Sequence, residues 1–114
     1  MTTEKKNFDE LLAEIGRAPM LSVDEELALI RTIQDKGPEC EEMGKLIEPN
    51  MRIVVSVANQ YQNKGLSLEE LIEAGRHGLE KAVMKYDNKK SFKFVTYAVW
   101  WIRQAMFQTI AEKK

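Results

Sequence analysis

The chain has 114 residues, 44% of them hydrophobic and 31% charged, enough apolar material for one small core and too little length for two. No apolar run is long enough to span a membrane, and the N-terminus, MTTEKKNFDE, is too polar for a secretory signal. A single cysteine, Cys40, excludes an internal disulfide framework, and no Cys/His cluster suggests zinc. Together these features predict a protein of the reducing cytoplasm with no cofactor and no metal. The net charge of −1 hides an asymmetry: residues 85–114 carry +5 and residues 1–84 carry −6. A basic end on an acidic body is the footprint of a nucleic-acid binder, although short segments also fluctuate in charge.

The apolar spacing is helical throughout and predicts an all-α fold, one compact domain of about five helices over residues 1–114. An N-terminal helical segment covers about residues 8–36. Its first helix, Phe8–Ile15, ends at Gly16–Pro19, and its second starts at Ser22, which with Glu25 forms a capping box, and runs to about Lys36 before Gly37 and Pro38. The rest, about 39–112, holds three helices. The first spans roughly Glu39 to Asn63 and contains Pro49, which predicts a kink or break near Glu48. The second opens with another capping box, Ser67 and Glu70. Asp87–Ser91 then form a polar turn, and the last helix runs from Phe92 or Phe94 to Glu112.

Six of the nine aromatic residues fall between Phe92 and Phe107. A helical wheel puts Phe94, Ala98, Ile102, Ala105 and Thr109 on a core face, flanked by Val95 and Met106. The opposite face holds Lys93, Thr96, Tyr97, Trp100, Gln104, Phe107 and Gln108, with Trp101 near the border. Aromatic rings beside lysine and glutamine suit unpaired bases, which stack on rings. Glutamine can pair bidentately with adenine, and lysine neutralises phosphate. The same stripe could equally cover a second layer of core or meet another helix. Cys40 reads as an unremarkable thiol and His77 as a surface histidine. Nothing resembles a nucleophile–base pair or a phosphate loop, so no enzymatic activity is expected.

The string FKFVTYAVWWIRQAMFQTIAE, Phe92 to Glu112, closely resembles the promoter-melting and promoter-recognition helices of the bacterial sigma-70 family. The resemblance extends through Met51–Asp87 to that family's second conserved region, and through Phe8–Ile33 to the segment preceding it. It implies a transcription initiation factor domain that binds core RNA polymerase and recognises and melts the promoter minus-ten element. The counterparts of Tyr97, Trp100 and Trp101 meet the edge of the opening bubble, the tyrosine stacking on a flipped adenine of the single-stranded non-template strand. Those of Phe92, Phe94 and Thr96 serve melting or strand capture, and that of Gln104 reads the first base pair. Lys85, Lys89, Lys90, Lys93 and, more loosely, Arg103 match basic positions near the DNA backbone. Phe107 and Gln108 complete the implied DNA-binding set.

Departures from the family pattern carry their own expectations. The helix that meets the polymerase clamp, on the largest subunit, usually reads close to D-L-I-Q-E-G-N-x-G-L, and here it is ELIEAGRHGLEKAV, Glu70–Val83. The implied polymerase-binding residues are Leu71, Glu73, Ala74, Arg76, His77 and Glu80. Of these, Glu73, Ala74, Arg76 and Glu80 differ from the usual pattern. Phe107 replaces a small polar residue, Gln108 a basic one, Ser91 a glycine and Pro49 an alanine-like position. The chain as given ends at Lys114, before the family's spacer-reading and minus-thirty-five segments. The competing expectation is a divergent sigma-like interaction module or decoy regulator that no longer binds core polymerase normally, with an anti-sigma-like regulator as a further implied partner.

Overall fold

The computed structural model describes residues 21–87, 89 and 93–113. The helix expected over Phe8–Ile15, together with Lys90 and Phe92, lies outside them. The described residues form four α-helices: α1 (Val23–Lys36), α2 (Glu41–Gln60), α3 (Leu68–Lys85) and α4 (Phe94–Lys113). No helix among them is long and apolar enough to cross a membrane.

Both predicted capping boxes are present. Ser22 Oγ accepts from the Glu25 backbone N–H and Glu25 Oε1 accepts from the Ser22 N–H, at 3.1 and 2.9 Å. Ser67 and Glu70 repeat the arrangement at 3.1 and 2.8 Å. Each box satisfies two amides that a helix start leaves unpaired. Gly37, with φ of 103°, closes α1, and its N–H donates to the Ile33 carbonyl. Beyond α2 the chain turns through two left-handed residues, Asn63 and Gly65, the conformation that asparagine and glycine tolerate best.

The expected break near Glu48 is absent. One helix, α2, runs from Glu41 to Gln60 with Pro49 buried inside it. Proline has no N–H for the carbonyl of Lys45, four residues back. On the neighbouring carbonyl, of Leu46, the buried Asn50 side chain donates at 2.8 Å. Tertiary packing of Leu46, Ile47, Val54 and Val55 therefore overrides the local penalty. Pro49→Ala is expected to raise stability by about 1–3 kcal/mol, because an interior proline costs about 3 kcal/mol relative to alanine and the truncated ring returns only part of that. Urea unfolding should show a higher midpoint at unchanged slope.

The core lies where α2, α3 and α4 meet, with Leu46, Val54, Leu71, Leu79, Val83, Ile102 and Met106 fully buried and Ile33 of α1 joining them. The axes of α3 and α4 come close because glycine lines α3 at the crossing. A Cβ on Gly78 would sit 2.5 Å from the Trp101 carbonyl oxygen, and one on Gly75 would sit 2.5 Å from Met106 Cε and 2.8 Å from Val54 Cγ1. Glycine is therefore required at 78 for close backbone approach rather than for a turn. This contact fixes the part of α4 that carries Trp100 and Trp101.

Candidate nucleic-acid interface

The buried stripe of α4 is Phe94, Ala98, Ile102, Met106 and Ile110, in steps of four residues. It corrects the wheel in detail. Met106 lies at the centre of the buried face rather than on its flank, Val95 is exposed, and Ala105 and Thr109 are half-buried. Phe94, which the family resemblance placed among strand-capturing residues, is 2% exposed and stands edge-on to Tyr86, ring centres 5.3 Å apart. In this position its ring faces protein on all sides and offers no surface to a base.

The outer face of α4 presents Thr96, Trp100, Arg103, Gln104, Phe107 and Gln108, all exposed. Trp100 is 55% exposed and Phe107 53%, large apolar areas to leave in water. Trp100 meets Trp101 edge-on, ring centres 5.3 Å apart and planes at 85°. Trp101 is half-buried. The Lys85 ammonium lies 6.0 Å over its ring, and its buried Nε1 has no protein acceptor among the described residues. Tyr97, also half-buried, continues the ladder, with its ring 6.2 Å from Trp101 and 5.8 Å from Tyr86 and its hydroxyl 3.4 Å from the Lys85 carbonyl. Lys85, Lys89 and Lys93 are exposed around the same end of α4.

Three supporting residues carry no recognisable sequence signal for this role. Gln34 of α1 donates through Nε2 to the carbonyls of Val83 and Tyr86, both at 2.8 Å, and so satisfies the open end of α3. That bond holds Tyr86, which touches both Phe94 and Tyr97. Burial, with Glu26 and Asp87 nearby, pushes the Tyr86 phenol above its ordinary pKa, so the ring stays neutral. Tyr61, at the end of α2, packs edge-on against Phe107 at 5.2 Å. A glutamine on the polar side of an amphipathic helix looks like solvated surface. The two tyrosines read from sequence as ordinary apolar positions.

On α3, the residues expected to meet a polymerase divide in two. Glu73, Arg76 and His77 are exposed and Glu80 partly so, and they form a connected polar row. Arg76 Nε lies 3.7 Å from Glu80, and His77 lies 3.4 Å from Glu73 and 3.6 Å from Glu80. Leu71 and Ala74, by contrast, are 0% and 8% exposed. They belong to the apolar stripe of Leu71, Ala74, Gly78 and Ala82 that faces the core, so the helical period takes them off the outer surface. Among the described residues, no group of three His, Cys, Asp or Glu could hold a metal ion.

The all-helical fold agrees with the family that sequence comparison finds. Residues 46–114 match the Sigma-70 region 2 family, and the chain belongs to that family. It is 48% identical over 102 residues to the RNA polymerase sigma factor SigA of Listeria monocytogenes, covering 90% of this chain and 27% of that protein. The match to SigA of Lactococcus lactis subsp. lactis is 49% over 104 residues, with 90% and 27% covered. For SigA of Clostridium acetobutylicum it is 47% over 102 residues, with 90% and 26% covered. The chain thus spans about a quarter of the length of the curated relatives it matches.

Proposed function

We propose that this chain is the part of a sigma factor that binds core RNA polymerase and recognises and opens the promoter minus-ten element. The observation that carries the reading is the outer face of α4, where Trp100 and Phe107 are each more than half exposed with Gln104 between them and lysines at the helix entrance. The mechanism is differential binding. A closed duplex hides the faces of its bases, whereas an unpaired strand offers them for stacking, so rings presented on a rigid helix favour the open state. Tyr97, Trp100 and Trp101 hold the edge of the bubble, Thr96 lies beside the captured strand, and Gln104 reads the adjoining base pair. Lys85, Lys89, Lys93 and Arg103 follow the phosphates. Glu73, Arg76, His77 and Glu80 on the outer face of α3 dock on the polymerase clamp.

The phosphate contacts make a quantitative prediction. Affinity for single-stranded minus-ten DNA should fall steeply with salt, with a log–log slope of about −0.7 per phosphate contacted. Lys93→Ala should weaken binding to all sequences alike and make the slope shallower by about that amount. Anisotropy titrations across a salt series measure both. A flat response would leave the basic end as solvated surface and remove the support for a DNA-binding role.

A further inference from the structure

We propose that the outer face of α3 docks on a basic surface of its partner and that protonation of His77 weakens this contact. The inference rests on the polymerase-binding role proposed above and goes beyond it by giving that contact a proton dependence.

His77 stands between two carboxylates of its own helix. Its Nε2 lies 3.4 Å from Glu73, one turn before it, and its Nδ1 lies 3.6 Å from Glu80, one turn after it. A neutral imidazole has one N–H and one lone pair, so it turns a lone pair toward one of the two carboxylates. The imidazolium carries an N–H on each nitrogen and faces both favourably. The arrangement therefore matches the protonated ring, and imidazole is the side-chain group that changes charge most readily near neutral pH.

The charges around the ring belong mainly to α3. Arg76 Nε lies 3.7 Å from Glu80 and shares that carboxylate with His77. Lys81 and Lys85 line the same groove as His77 and Glu80. Across the groove the connection between α1 and α2 contributes Pro38, which does not titrate. The charged residues flanking that connection, Lys36 and Glu42, pair with each other at 3.0 Å.

Glu73, Arg76 and Glu80 leave the row at a formal charge of −1 while the ring is neutral, on a body that carries −6 over residues 1–84. That sign selects a basic partner surface, whose cations need the carboxylates of Glu73 and Glu80. Protonated His77 takes up the same two carboxylates, so docking and protonation compete. The free row binds the proton better than the docked row does, and affinity is therefore full above the range in which His77 titrates and falls below it.

The test titrates the purified chain against core RNA polymerase at fixed ionic strength, at about pH 6 and about pH 8 and between them. Wild type should bind about three-fold more tightly at the upper end, the scale of one exposed ion pair. His77 is the chain's one histidine, so its ring NMR signals identify its titration directly, and the change in affinity should follow them. His77→Gln keeps a polar side chain that cannot gain charge, and it should lose the three-fold difference. Equal pH dependence in wild type and His77→Gln would overturn the inference alone, as would tighter wild-type binding at the lower end. No binding to core polymerase at any of these pH values would overturn the docking function and the inference together.

Discussion

Gly78→Ala is expected to destabilise the protein by about 3 kcal/mol, near the upper end for overpacking a core contact. The added methyl would lie 2.5 Å from the Trp101 carbonyl oxygen and 2.9 Å from Ala105 Cβ. A carbonyl inside a helix cannot swing aside as a side-chain tip can, so α4 must move away from α3. That displacement would shift Trp100 and Trp101 relative to Lys85, and DNA binding should fall along with stability. Gly44→Ala is the matched control, because nothing lies within 4 Å of its Cβ position on the exposed side of α2. It should stabilise by up to about 1 kcal/mol through helix propensity alone. Urea unfolding of the two variants measures the contrast. Equal midpoints would mean that the helices are not in the close contact described.

Trp100→Ala is expected to reduce affinity for forked minus-ten DNA by about 1–3 kcal/mol, the usual value of one lost stacking platform. Because the side chain is 55% exposed, stability should change by only about 0.5–1 kcal/mol, chiefly from the lost edge contact with Trp101. This separation of binding from stability makes Trp100 a better probe than Tyr97. The tyrosine ring is half-buried between Tyr86 and Trp101, so Tyr97→Ala would lose packing and stacking at once. Tyr97→Phe keeps the ring and removes the hydroxyl that stands 3.4 Å from the Lys85 carbonyl, and it should bind nearly as wild type.

Much of this architecture is legible in the sequence. The two S-x-x-E boxes mark helix starts at Ser22 and Ser67 because their chemistry is local, and both form. Periodicity finds the buried face of α4 but shifts its centre, since the 100° wheel cannot say which neighbour packs against which flank. Of the two expected flanks, Met106 turns in to the centre of the core face and Val95 turns out to solvent for that reason. Pro49 does not break α2, because its penalty is local, whereas the packing that overrides it comes from residues distant in sequence. The family resemblance marks Leu71 and Ala74 by position along the chain alone, whereas the fold turns both inward. Gln34 escapes entirely, because its contacts lie 49 and 52 residues away and no local pattern announces them.

The most direct test of the central claim, that the outer face of α4 holds unpaired bases, is the ratio of affinities for forked and fully paired minus-ten DNA. It is measured by competition on wild type and Trp100→Ala, in the presence of core RNA polymerase. Wild type should prefer the fork by at least about ten-fold, the factor that a stacking contribution of about 1.4 kcal/mol supplies. Trp100→Ala should lose most of that preference while its thermal melt stays close to wild type. Equal affinity of the wild-type chain for forked and paired DNA, or an unchanged preference in a well-folded Trp100→Ala, would contradict it.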